Sequence, residues 1–189
     1  MTTHPGSREI DVALRDGSIV HVSPAKPADA PAVRLLLNEL SDRSRWLRFF
    51  SAFPNLAKAA RWATEVDDGR RYGLVATTQR DGRMVGHAGL ERGSDRPERA
   101  EVALEIADAM QGKGLGTALL CRLAEAAYEF GIQVLDAEVL PENRQMIQVF
   151  RGCGYSVKVH SFPGVELVEL RTSRAATGLK PLEPRNQTA

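Results

Sequence analysis

Three glycines at alternate positions, Gly112, Gly114 and Gly116, sit in the run Gln111-Gly112-Lys113-Gly114-Leu115-Gly116-Thr117. An extended, largely apolar stretch (residues 102–107) feeds into this run, and a helix-like stretch (residues 118–130) leaves it. Glycines spaced this closely before a helix free several backbone N–H groups to point at one spot. That spot lies at the positive end of the helix and suits a phosphate or pyrophosphate. A nucleoside-triphosphate loop would need Lys followed by Ser or Thr, whereas Lys113 is followed by Gly114. A dinucleotide loop would read G-x-G-x-x-G directly after the strand; here Asp108-Ala109-Met110-Gln111 intervene and the glycines run G-x-G-x-G. Asp136 stands 20 residues after Gly116, where a ribose-binding acid would, but it falls in the middle of a strand-like stretch.

The remaining reactive side chains read more plainly. Cys121 lies in the helix-like stretch and Cys153 between two glycines, neither in a CxxC nor near a His cluster. Two reduced thiols and no metal site are expected. His21, His87 and His160 fall in strand-like segments and read as structural. The loop containing Arg92, Arg96 and Arg99 reads as solvated. A formal net charge of +1 gives no electrostatic case for nucleic acid or an anionic membrane surface. No apolar stretch approaches a membrane span, and the N-terminal residues lack the apolar region of a secretory signal, so a cytoplasmic protein is expected.

The elements that must position the loop follow from patterning. Residues 1–9 read as a loose arm, residues 10–171 as one domain, and residues 172–189 as a disordered or loosely draped tail with few large apolar side chains. Asp16-Gly17 between apolar alternations predicts a hairpin with a type I′ turn. Asp29 is a candidate N-cap for a helix carrying Val33, Leu36, Leu37 and Leu40. Further helices are predicted over 44–53 and 56–66, and a strand pair over 72–78 and 84–90 around Asp81-Gly82. A strand over 99–107 leads into the glycine loop and its helix, with Gly131 just past the helix end. A strand over 132–140, a short helix over 143–151 and a last strand pair complete a mixed α/β arrangement, with the glycine loop inside its one central crossover.

Gln111-Gly112-Lys113-Gly114-Leu115-Gly116-Thr117 resembles the Q/R-x-x-G-x-G/A signature of the GCN5-related N-acetyltransferases (GNAT), which bind acetyl-CoA. Asn143-Arg144-Gln145-Met146-Ile147-Gln148-Val149-Phe150-Arg151-Gly152-Cys153-Gly154-Tyr155 resembles the family's late block, and the opening around Val22 to Ala30 resembles its first strand and helix entry. Leu40-Ser41-Asp42-Arg43-Ser44-Arg45-Trp46-Leu47-Arg48-Phe49-Phe50 resembles the L-S-x-x-S-x-(Y/W)-x-R-F-F segment of bacterial Pat-type protein-lysine acetyltransferases that modify acyl-CoA synthetases. Ala100-Glu101-Val102-Ala103 resembles their A-E-x-A segment. Together the likeness covers roughly residues 18–171.

The resemblance implies a mostly antiparallel central sheet, flanked by helices and splayed at the acyl-CoA site. It implies that the amides of Gly112 to Thr117, with Gln111, hold the pyrophosphate, and that Leu104, Glu105 and Ile106 meet the pantetheine arm. A backbone donor near Ile106 would polarise the thioester carbonyl. Lys113 either adds a charge or is solvated. Asn143 is placed to bond the pantetheine arm, to cap its helix, or both, and Phe150 to pack beside CoA. A lysine amine arrives protonated, so a base is required. Glu101 falls on the family's catalytic glutamate position and Glu105 is its rival; in a regular strand the two share a face, and a bulge between them would separate them. Phe150 stands where many relatives place Tyr and cannot protonate the leaving thiolate. The acceptor is expected to be a protein lysine, with a small amine as the alternative and a non-catalytic CoA sensor as a third reading.

Overall fold

The computed structural model describes residues 9–67 and 70–173. The expected arm over residues 1–8 and the tail beyond residue 173 lie outside the described residues. Alternating burial forms the first hairpin, β1 (Ile10–Ala13) and β2 (Ile19–Pro24). Its turn differs from the type I′ expectation. Gly17 takes a positive φ of 83° and Asp16 does not. The Leu14 carbonyl accepts from the Gly17 N–H at 3.0 Å, which is a type I turn followed by a left-handed glycine. Asp16 is held there because its carboxylate accepts from the Ser18 N–H at 3.1 Å and hydroxyl at 2.6 Å.

Three helices follow: α1 (Ala30–Glu39), α2 (Asp42–Phe49) and α3 (Leu56–Thr64). Asp29 occupies the N-cap position of α1, but its carboxylate turns back to the Lys26 N–H at 2.8 Å instead of capping the helix. The second helix begins earlier than patterning suggests, because Ser41 caps it by accepting from the Ser44 N–H. It stops at Phe49, and Phe50 adopts a left-handed conformation with φ of 53°. Strands β3 (Arg71–Thr78), β4 (Met84–Arg92) and β5 (Arg99–Ile106) lead to α4 (Leu115–Glu129). Then come β6 (Val134–Val139), α5 (Arg144–Arg151), β7 (Val157–Phe162) and β8 (Val165–Arg171).

The eight strands form one sheet in the order β1-β2-β3-β4-β5-β6-β8-β7, antiparallel throughout except for the β5–β6 pair. Its central strands are covered on both faces, so β4 is buried from Met84 to Leu90. One face packs on α4 and α5 around Leu119, Leu120, Leu123 and Phe150. The other packs on α1 and α3 around Val33, Leu36, Leu37 and Val75. Thr172, just past β8, is 3% exposed and donates its hydroxyl to the Ile132 carbonyl at 2.6 Å. Among the described residues no helix is long and apolar enough to cross a membrane.

Candidate active site

The site begins where two strands part. The parallel β5–β6 ladder has three register pairs, ending at Glu101 and Asp136, after which the strands diverge. Arg99 secures the apex of this V. Its guanidinium binds both oxygens of Asp136 and donates to Glu169 at 2.5 Å. Asp136 is therefore committed to a structural ion pair and is no ribose ligand. Above the apex lies a cleft of about 340 Å³. It is walled by β5 from Glu101 to Ile106, by Ala137 to Val139 of β6, by α2 with Phe50, and by α5.

Strand alternation splits β5 into two rows. Val102, Leu104 and Ile106 pack toward the α4 side of the core. Glu101, Ala103 and Glu105 share the opposite row. The β4–β5 register runs unbroken from Gly86–Ile106 to Arg92–Ala100, so no bulge separates the two glutamates. Their surroundings separate them instead. Glu101 is exposed at the apex and makes no hydrogen bond or ion pair among the described residues. Glu105 is 5% exposed and doubly paired. Its Oε1 accepts from Arg48 Nε of α2 at 2.5 Å, and its Oε2 lies 2.6 Å from His87 Nδ1 of β4. Burial pushes the Glu105 carboxyl up, but Arg48 and then His87 outweigh it and bring it down to about 2.

Room for the His87 ring is built into its own strand and into the neighbouring β3. The ring is 0% exposed, and its Nε2 lies 3.1 Å from the Ala63 carbonyl of α3. A Cβ at Gly89 would come within 3.0 Å of His87 Cε1. A Cβ at Gly73 would come within 2.9 Å of the Ala63 carbonyl and 3.3 Å of His87 Nε2.

The N-terminus of α2 is held to the glycine loop by a second polar network. Asp108 accepts from the Ser41 N–H at 2.7 Å and from the Ser44 hydroxyl. Gln111 donates to Ser44 Oγ at 3.2 Å, to Asp108 at 3.0 Å and to the Ile106 carbonyl at 3.2 Å. Burial disfavours the Asp108 charge, but the donors from Ser44 and Ser41 outweigh it and hold its carboxyl below the usual range.

The glycine loop supplies an uncapped helix start. The hydrogen bonds of the preceding turn end at Gln111, whose N–H reaches the Asp108 carbonyl. Gly112 and Gly114 take φ of 74° and 95°, and no side chain caps α4 at Gly114. First-turn amides have no acceptor within a helix, so the end of α4 is suited to an anion. Gly116 faces the cleft, while the Leu115 side chain is buried in the core. Lys113 is directed to Asp16 of the first hairpin at 2.9 Å. The Thr117 carbonyl accepts from Cys153 Sγ at 3.4 Å.

Asn143 lines the cleft and caps α5, its side chain accepting from the Met146 N–H at 3.2 Å. Phe150 corrects the expectation of a CoA contact. It is 0% exposed within the core, whereas Met146 and Val149 of the same helix face the cleft. Sequence reasoning missed the pairing of Arg48 with His87 through Glu105 and the role of Asp108. The Ser41-x-x-Ser44 spacing was the available signal for the second network. Among the described residues, no group of three His, Cys, Asp or Glu side chains could hold a metal ion.

One family model and three known proteins bear on this geometry. Residues 20–156 match a family model described as the acetyltransferase (GNAT) domain. The sequence is 29% identical over 178 residues to acetyltransferase Pat of Mycolicibacterium smegmatis, covering 93% of this chain and 52% of Pat. The chain thus spans about half the length of that curated relative. The fold is similar to the crystal structure of the GNAT domain of S. lividans PAT, with a TM-score of 0.77 and 37% identity over 86% of this chain and 96% of that one. It also shares its fold with yncA from Salmonella typhimurium, a structure containing its cofactor acetyl-CoA, with a TM-score of 0.63 and 19% identity over 84% and 96% of the two chains.

Proposed function

This chain belongs to the GNAT acetyltransferase family, an acyl-transferring enzyme class, and we propose that it moves an acetyl group from acetyl-CoA to a protein lysine, with Glu101 as general base. The observation that carries this reading is the parting of β5 from β6 beside the uncapped start of α4. That arrangement offers a pantetheine arm an unpaired strand edge and offers its pyrophosphate a set of amides. The amides from Gly112 to Thr117 would hold the pyrophosphate, and the main chain around Leu104 to Ile106 the arm, with Asn143 facing it. When bound, acetyl-CoA supplies an activated thioester.

The acceptor amine, with a solution pKa of about 10.4, must lose a proton before it attacks. A base needs access and free lone pairs. Glu101 has both, whereas Glu105 is buried and spends its oxygens on Arg48 and His87. Lys113 is not assigned to phosphate, because Asp16 takes its charge. The protein-lysine acceptor rests on the likeness to Pat and on the Leu40 to Phe50 segment. This segment forms one cleft wall, with Phe50 on its lining, and it also carries an exposed Trp46.

The test is CoA thiol release with a panel of acceptors: a purified acyl-CoA synthetase, polyamines and free amino acids. Turnover with the synthetase is expected. Turnover with small amines alone would replace the protein acceptor. Tight CoA binding with no turnover on any acceptor would favour a CoA sensor.

A further inference from the structure

Among the described residues that line the cleft, the ionisable side chains are Glu101, Glu105, Glu138 and Arg48. No Tyr, His, Cys or Lys is among them. Resting on the transferase reading above, we propose that Arg48 is the cation that meets the negative charge formed as the thioester breaks, and that Glu105 and His87 are the positioning residues that hold it there.

The step balances without a proton donor. The amine nitrogen bonds to the acyl carbon, the carbon–sulfur bond breaks, and its electron pair leaves on sulfur as CoA thiolate. The ammonium first gives one proton to Glu101, which hands it on to solvent, and the proton that the nitrogen sheds on forming the amide then passes to Glu101 in turn. With no general acid on the cleft wall, the thiolate leaves unprotonated and a nearby positive charge lowers the barrier. Arg48 is the one cation among the described lining residues. Its Nε is spent on Glu105, while its two terminal nitrogens make no hydrogen bond among the described residues. Its guanidinium carbon also lies over the Phe49 ring, 4.9 Å from the centroid, a cation–π contact that helps hold it against the wall.

Glu105 alone would cancel the Arg48 charge, and His87 restores it. Both ring nitrogens of His87 face oxygens that accept: Glu105 Oε2 at 2.6 Å and the Ala63 carbonyl at 3.1 Å. A carbonyl has no proton to give, and Glu105 already accepts from Arg48. The ring therefore donates from both nitrogens, as an imidazolium. Two cations then share one carboxylate, and the buried triad keeps a net positive charge at the covered end of β5. The charged groups facing His87 are Glu105 from β5 and, beyond it, Arg48 from α2. The other charges on the cleft wall, Glu101 and Glu138, are carboxylates that would oppose a thiolate.

The test needs no acceptor. Thiolate absorbance of bound CoA is followed from about pH 6 to about pH 9, with desulfo-CoA as the affinity control. The bound thiol is expected to ionise about one pH unit below free CoA, giving CoA about a tenfold gain over desulfo-CoA as pH rises. Arg48→Met should abolish that gain and Arg48→Lys retain most of it. Nitrogen NMR of the unmodified protein should show both His87 ring nitrogens protonated near neutral pH. An unshifted thiol, a shift that survives Arg48→Met, or an unprotonated His87 nitrogen would each overturn the proposal. Failure of the unmodified protein to bind either CoA or desulfo-CoA would overturn the transferase reading beneath it.

Discussion

Glu101 and Glu105 stand on one face of one strand, four residues apart, and have opposite surroundings. Glu101 lies at the exposed apex where β5 and β6 part, beside an Asp136 that Arg99 has already taken. Glu105 lies under α2, fixed by Arg48 and His87. The backbone treats them alike, because the β4–β5 register has no irregularity between them. What differs is the company each side chain keeps. A carboxylate with free lone pairs suits proton transfer, whereas one shared between two cations suits holding elements together. The same residue type on the same row is thus left open to the cleft at one end and locked into an ion-paired cluster at the other.

That contrast can be broken most forcefully by stability measurements. Glu105→Ala leaves Arg48 and His87 without their shared anion, and removing one partner from a buried ion pair costs about 3–5 kcal/mol. A large drop in Tm is expected on thermal unfolding, and a small one would mean that the triad is not holding α2. Acid unfolding is the next largest effect. Glu105 has a folded pKa of about 2, against an ordinary value of 4.5. Its contribution is therefore fully present above about pH 4.5 and is lost as pH falls toward about 2. Denaturant titrations across that window should show a steep loss in the unmodified protein and a flatter one in Glu105→Gln.

Gly89→Ala crowds the His87 ring and should cost about 1–3 kcal/mol by overpacking, read as a shift in denaturant midpoint. Glu101→Gln, at an exposed position, should change stability by less than about 0.5 kcal/mol. At the loop, Lys113→Ala should leave CoA affinity within about twofold by calorimetry, since the Lys113 charge is directed to Asp16 rather than to phosphate. A larger loss would return Lys113 to the phosphate site.

The residues legible in the sequence are those whose signals are local. The glycine loop announces itself by spacing, and Asn143 caps the helix it precedes. Glu101 is a candidate only through the resemblance of Ala100 to Ala103 to the A-E-x-A segment, not through a signal of its own. The Arg48–Glu105–His87 triad was not legible. Its members lie 57 and 18 residues apart on three elements, and only the packing of α2 and β4 against β5 brings them together. Phe150 was misplaced for a rotational reason. Resemblance fixed its position in α5 but not its face, and each helical residue turns about 100° from the last. Met146 and Val149 consequently line the cleft while Phe150 points into the core. The Asp16-Gly17 hairpin was found, but its turn type was decided by the Ser18 bonds to Asp16, which a dipeptide signal does not encode.

The most direct test is single-turnover acetyl transfer from acetyl-CoA to an accepted amine, compared for Glu101→Gln and Glu105→Gln with CoA binding measured alongside. If Glu101 is the base, Glu101→Gln should slow transfer by about 10²–10⁴-fold at unchanged CoA affinity. Glu105→Gln should lose less, and should lose it together with stability. Full activity in Glu101→Gln, or a chemical step abolished only in Glu105→Gln, would contradict the assignment.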